Sequence, residues 1–247
     1  MAHAPARLLA VDVGGTNTRV VICEPDGRRI IERRAVLATK HDLRAQIHGA
    51  VAEAGGWNRI GHTVIDFAGP VRRPDVAQMT NWPDSPEIDA DELRAWLHGS
   101  DRFTMLNDME AAALGVISAP AAASETLHAG EPAADGGRLI VAPGTGLGSI
   151  GVVAGTALDA RVLNGLLPSE VGHARAAPGS DQLTEALHAW RDDHGYWPGW
   201  EELVSGRGLE GLYAIAAGRV ADAAWIARHG DRRHEDADND AVTALEL

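Results

Sequence analysis

Lysine is almost missing from this chain: Lys40 is the one lysine among 247 residues. Its cations are therefore nearly all arginine, and they are outnumbered. Lys and Arg together number 22 against 35 Asp and Glu, for a net charge of −13. Such a balance lacks the basic footprint of a nucleic-acid-binding protein, and it gives no attraction to anionic membranes. The scarcity of lysine beside abundant alanine reads as genome composition rather than function. Cysteine is also nearly absent. A lone Cys23 excludes an internal disulfide framework and a cysteine-rich zinc site, and it suits a strand position in a reducing compartment. No apolar stretch approaches the ~20 residues of a membrane span, and Met1 to Arg7 leads into a short strand without a signal-peptide core. These absences lead us to expect a soluble, cytoplasmic protein with neither nucleic acid nor membrane as partner.

What is present is a real core. Hydrophobic residues make up 45% of the chain, enough for one large domain or two modest ones. The most informative stretch is Ala10-Val-Asp-Val-Gly-Gly-Thr-Asn-Thr-Arg-Val-Val21. Apolar runs on both sides of Gly14-Gly15 predict a β-hairpin, because glycine tolerates the positive φ of a tight turn. Asp12 enters that turn; Thr16, Asn17 and Arg19 leave it. Glycine lets a ligand approach the backbone, and successive N–H groups can cradle an anion, although an ordinary hairpin with polar edges reads the same way. The pattern continues with a third strand over 28–37 and a helix over 42–54 that Gly55-Gly56 stops. A buried strand follows over 62–67, then a turn at Ala68-Gly-Pro-Val71. A helix over 89–97 carries an Asp cap, and a strand over 103–106 leads to a helix beginning at Met109. Three antiparallel strands followed by strand–helix alternation predict an α/β layer around a mixed sheet. After an Ala-, Pro- and Gly-rich connection, strands over 138–141 and 149–153 flank Pro143-Gly-Thr-Gly-Leu-Gly148. This echoes the first hairpin and suggests an internal duplication. Helices are expected over 181–193 and 210–226. The charged stretch 228–240 is not core, and a last helix opens at Asn239-Asp240 and runs to Leu247 without a terminator.

Four further segments carry polar groups, each with an ordinary structural alternative. Asn107-Asp108 sits at a strand end, where open α/β sheets place ligands, but Asn-Asp is also a common cap. Ser169-Glu-Val-Gly-His173 sets a carboxylate and an imidazole three residues apart, or is a surface Glu with a satisfied His. Glu201 to Gly208 ends in a Gly-rich turn, or is a solvated helix end. Thr80-Asn81-Trp82 suits a sugar, or anchors a loop.

In this order the segments resemble the bacterial glucokinase family, the hexokinase-like branch without a zinc motif. The matching residues are Asp12 to Asn17, Ala68 to Val71, Thr80 to Trp82, Leu106 to Asp108, Gly144 to Gly148, Ser169 to His173 and Glu201 to Gly208. The single cysteine, and the few residues before Leu8, speak against the related repressor–kinase branch with its zinc loop and helix-turn-helix. The resemblance implies an α/β fold of the actin-like ATPase (ribonuclease H-like) type. Its first domain would span about 1–108, and 109–247 would form a second, incomplete domain. It implies ATP-dependent phosphorylation of glucose or a related hexose to the 6-phosphate, with Asp108 as general base. Asn81, Asn107, Asp108, Glu170, His173 and Glu201 would hold the sugar. Asp12, Gly14, Gly15, Thr16, Asn17, Gly144, Thr145 and Gly146 would hold ATP, with Mg²⁺ on its phosphates and Asp12 positioning metal-bound water. A homodimer is compatible with it.

The departures are local. Val171 stands where the family has glycine, and Ala174-Arg-Ala-Ala177 replaces a more acidic and aromatic continuation, so sugar preference is expected to differ. Family members also continue for several tens of residues past Leu247, through a Gly-rich adenine-binding turn and a final helix. A truncated kinase with impaired activity is the resulting expectation. The alternatives are a non-catalytic sugar-binding remnant, and a kinase for another hexose or phosphoryl donor.

Overall fold

A computed structural model describes residues 6–247 except 16, 73–74, 132, 134–135, 156–161, 231–236, 240 and 242–247. The chain divides into two compact units, Met1–Val116 and Ile117–Leu247.

The first unit begins with β1 (Arg7–Val13), β2 (Thr18–Cys23) and β3 (Arg29–Ala35), an antiparallel meander that opens with the expected hairpin. Helix α1 (Lys40–Glu53) follows. Thr39 caps it by accepting from the Asp42 N–H, and Gly55 and Gly56, both at positive φ, end it. Its Leu43, Ile47, Ala50 and Val51 are buried with Leu9, Val11, Val13, Val20 and Ile22 of the meander. Each larger side chain contributes roughly 1.5–3 kcal/mol by leaving water. Strand β4 (Ile60–Phe67) then pairs parallel to β1. A small antiparallel sheet comes next, which the pattern did not reveal: β5 (Val71–Arg72), β6 (Val76–Gln78) and β7 (Glu87–Asp89). Asp89 caps α2 (Ala90–Trp96) as expected, accepting from the Glu92 N–H. Strand β8 (Phe103–Asn107) joins parallel to β4, giving the order β3-β2-β1-β4-β8, and α3 (Asp108–Ser118) leaves from its end.

The second unit holds β9 (Arg138–Pro143), β10 (Leu147–Val152) and β11 (Leu166–Ser169) in the antiparallel order β11-β10-β9. Ile150, Val152 and Leu166 on one face are buried, whereas Leu139, Val141 and Leu167 on the other are exposed. Helices α4 (Asp181–His194), α5 (Glu201–Val204), α6 (Gly206–Ala217) and α7 (Ala223–His229) follow. They bury Leu187, Trp190, Leu203, Leu212, Tyr213 and Ile226 together. The single helix expected over 210–226 is two helices. Gly218 adopts a left-handed conformation with φ +63° and ends α6, and Asp222 starts α7 by accepting from the Trp225 N–H. The final helix expected from Asn239-Asp240 lies largely outside the described residues, although Ala241 is buried. No described helix is long and apolar enough to cross a membrane.

One feature of the first sheet controls its chemistry. In the parallel pairs Asp12 stands opposite Asp66, and Phe67 stands opposite Asn107. The C-terminal ends of β1, β4 and β8 are therefore level, and Asp12, Asp66 and Asp108 emerge at one edge. Burial pushes the Asp66 carboxyl up to about 8, helped by the charges of Asp12 and Asp108 and by a hydrogen bond shared with Asp12.

The sign of the consequence is fixed by linkage. The folded chain keeps this proton from the ordinary value of 3.8 up to about 8, while the unfolded chain has lost it. The stability that Asp66 contributes is thus complete below that window and is lost as pH rises through it. Asp66→Asn should flatten this slope and raise Tm at pH 8 relative to the parent. Thermal melts of both chains from pH 4 to 8.5 check this; parallel Tm curves would show that Asp66 ionises normally.

Candidate active site

The first unit concentrates polar groups at the edge where β1, β4 and β8 end. The hairpin between β1 and β2 is closed by the Gly14 N–H donating to the Asn17 carbonyl at 3.0 Å. Thr16, expected at this turn, lies outside the described residues. Asn81 comes from the turn between β6 and β7, yet its side chain lies against the hairpin. A Cβ on Gly15 would sit 2.8 Å from Asn81 Nδ2. Trp82 beside it is buried and anchors that turn in the core. Of the two readings of Thr80-Asn81-Trp82, the loop anchor is present in the buried Trp82.

Asn107 ends β8 with its side chain committed on both sides. Its Nδ2 donates to the Gly69 carbonyl at 3.0 Å, and its Oδ1 accepts from the Met109 N–H at 2.9 Å. Its amide also donates to the Asp108 carboxylate, which leaves one Oδ1 lone pair for a ligand. Asp108 opens α3, and its Oδ1 also accepts from the Met109 N–H at 2.9 Å. Burial raises its carboxyl above the ordinary range. The Met109 and Asn107 hydrogen bonds oppose that rise and the Asp12 charge adds to it. A half-buried carboxylate held at one oxygen and raised in basicity is suited to accept a proton. Asp66, which neither motif nor spacing singled out, belongs to the same group through Asp12.

The second unit builds its site around the turn from β9 to β10. The turn closes with the Gly144 N–H donating to the Gly146 carbonyl at 2.8 Å. Two outside groups hold it. The Gly206 N–H at the start of α6 donates to the Gly144 carbonyl at 2.9 Å, and Glu201 Oε2 accepts from the Leu147 N–H at 2.9 Å. A Cβ on Gly146 would lie 2.6 Å from Glu201 Oε2 and would displace that carboxylate. Arg207 pairs with the other Glu201 oxygen at 3.3 Å. Around Gly144, by contrast, a Cβ would meet nothing closer than 4.0 Å. Beside the turn lies a largely apolar cavity of about 470 Å³, reaching from Pro143 and Gly144 to Trp200, Leu203, Leu209 and Ala223.

Glu170 and His173 flank a single 3-10 turn, Val171–His173, with His173 Nε2 3.7 Å from Glu170 Oε2. Both are well exposed, at 67% for the histidine and 88% for the glutamate. Their segment packs on the one carrying Glu201. The Trp200 N–H donates to the Ala174 carbonyl at 3.0 Å, and Gly172 is in tight contact with Leu147. The structure thus brings Glu170, His173, Glu201 and the Gly144–Gly146 turn, which includes Thr145, into one neighbourhood of the second unit. Asp12, Gly14, Gly15, Asn17, Asn81, Asn107 and Asp108 gather in the first. Among the described residues no group of three or more His, Cys, Asp or Glu is arranged to hold a metal ion.

Comparison with known proteins shows the family and the fold. The sequence model of the family described as Glucokinase matches residues 9–246. The chain is 31% identical over 217 residues to a glucokinase of Mesorhizobium japonicum, covering 85% of this chain and 59% of that protein. It therefore spans about three fifths of the length of that relative. Among solved structures, a glucokinase from Balamuthia mandrillaris in complex with glucose aligns at TM-score 0.70 and 20% identity, covering 97% of this chain and 72% of the other. A ROK family glucokinase from Streptomyces griseus in complex with glucose and AMPPNP aligns at TM-score 0.60 and 20% identity, covering 97% and 74%. These neighbours share the actin-like ATPase fold expected above. By the match along nearly its whole length, the chain belongs to the glucokinase family.

Proposed function

We propose that this chain is a sugar kinase that moves the terminal phosphoryl group of ATP to the 6-hydroxyl of glucose or a related hexose. The observation that carries the reading is Asp108. Its carboxylate is held by Met109 and raised in basicity by burial, on the sheet edge that also presents the glycine hairpin. In the reaction the sugar oxygen forms a bond to the γ-phosphorus as the bond from that phosphorus to the β,γ-bridging oxygen breaks. Asp108 takes the hydroxyl proton and ADP leaves.

The remaining groups take the roles that the glucokinase family implies. Asn81, Asn107, Glu170 and His173 would meet sugar hydroxyls as donors and acceptors. Glu201 is bonded to Leu147 and Arg207. A carboxylate has about four lone-pair sites, so it can support the turn and still accept from a sugar. The hairpin at Gly14 to Asn17 and the turn at Gly144 to Gly146 would cradle phosphates. The open space at Gly144 suits a close approach, and the adjoining 470 Å³ cavity suits an adenine ring. Magnesium typically keeps several waters and bridges substrate phosphates with few protein carboxylates. The exposed Asp12 at the sheet edge fits contact through such a water, and the ion would neutralise phosphate charge.

The test is a coupled assay of hexose 6-phosphate formation by the 247-residue chain, together with Asp108→Asn. The variant should bind glucose within a few fold of the parent and lose about 10²–10⁴ in kcat, the range for a missing general base. Equal turnover would remove Asp108 from that role. Glucose binding with no turnover in the parent would favour the sugar-binding reading instead.

A second prediction concerns the turn. Gly146→Ala forces a Cβ to 2.6 Å from Glu201, so it should raise the KM for ATP about tenfold or more, a cost of roughly 1.4 kcal/mol. Because the displaced Glu201 carboxylate is also placed on the sugar, the glucose KM should rise as well. Steady-state kinetics with each substrate varied in turn read both; a raised sugar KM with normal ATP kinetics would contradict the assignment of this turn to phosphate.

A further inference from the structure

A second cavity, of about 290 Å³, lies at the opposite end of the first unit's sheet from the carboxylates. It is formed where β4 and β8 begin, and its walls include Trp57, Asn58, His62, His98, Ser100 and Arg102. His62 and Asp66 are four residues apart on β4, so the cavity is about 13 Å from the carboxylate edge at ~3.3 Å per residue. Nothing in the proposed phosphoryl transfer uses it.

Its lining is unusual for this chain. The net charge is −13, yet the cavity is lined by one arginine and two histidines and by no carboxylate. The nearest acid in sequence, Asp101, is paired with Arg94. Arg102 has its backbone fixed on both sides: its N–H donates to Ser100 Oγ at 3.1 Å and its carbonyl accepts from the Thr63 N–H at 3.0 Å. Its guanidinium has no ion pair among the described residues. The walls are also preorganised. His48 bonds the Trp96 carbonyl at 2.9 Å and packs edge-on to Trp57 with ring centroids 5.5 Å apart. His98 lies 5.2 Å from Trp57 and 5.3 Å from His48. His62 is held through Nε2 to Thr104 Oγ1 at 2.9 Å. His98 itself occupies a left-handed conformation, φ +55°, where glycine or asparagine is usual. A bulky ring kept in that position is a feature that clusters at ligand sites.

We propose that this cavity binds a small phosphate monoester of a polyol. Arginine supplies a planar charged fork for phosphate, the imidazoles add donors, and the indole gives an apolar wall for the carbon skeleton of a sugar. The volume, at the low end for small-molecule sites, admits a monophosphate and is too small for a nucleotide. The site is independent of the kinase reading, although the hexose 6-phosphate proposed as product belongs to the class it takes.

The experiment follows the Trp57 indole N–H resonance of the full chain while glucose 6-phosphate, glucose or inorganic phosphate is added. Glucose 6-phosphate should shift it saturably, inorganic phosphate more weakly, and glucose not at all. Arg102→Ala should weaken the effect tenfold or more, and His98→Gly several-fold, since glycine keeps the backbone conformation and removes only the ring. Asp108→Asn should bind as the parent does, which separates this site from the proposed active site. No saturable shift, equal binding of inorganic phosphate, or unchanged affinity in Arg102→Ala would each overturn the proposal.

Discussion

The register of three parallel strands governs this structure. Because Asp12 faces Asp66 across β1 and β4, and Asn107 faces Phe67 across β4 and β8, three aspartates come out at one edge. Like charges so placed cannot all stay ionised without cost. The hydrogen bond shared by Asp66 and Asp12 needs a proton, and burial favours keeping it on Asp66. Asp108 is left on the rim, half-buried and bonded to a backbone N–H, in a position to take a further proton. The buried carboxyl destabilises the fold at high pH, while Asp108 owes its raised basicity to its own burial and to the Asp12 charge.

The second constraint is close approach at two glycines. Asn81 packs against the first hairpin at Gly15, and Glu201 accepts from the Leu147 N–H beside Gly146; a Cβ at either glycine would push that polar group aside. In each unit a glycine turn is thereby tied to a polar residue distant in sequence. The two turns resemble each other in sequence and in this manner of support, which fits phosphate cradles that must stay open.

Much of this was legible in the sequence because it depends on local rules. Gly14-Gly15 between apolar runs specified the hairpin, Gly55-Gly56 ended α1, and Asp89 capped α2. The short strands β5 to β7 were not legible, since two or three residues carry no alternation to read. The break at Gly218 was hidden by apolar spacing that continues through it to Ile226, although the glycine and the Asp222 cap were visible. Asp66 could not be found at all. Alternation places it on the less buried face of a strand, and only long-range register shows that Asp12 and Asp108 are its neighbours. The motifs around Asp108, Glu201 and Gly144 were recognisable as a set, but which atoms each side chain engages came only from packing.

The account rests on electrostatic coupling among these three aspartates, and side-chain carboxyl shifts measured by carbon-13 NMR against pH address it directly. The expected result is one carboxyl that titrates near pH 8 and disappears in Asp66→Asn, with the Asp108 resonance titrating above the ordinary aspartate range. Titration of both Asp66 and Asp108 near the ordinary value of 3.8 would contradict it.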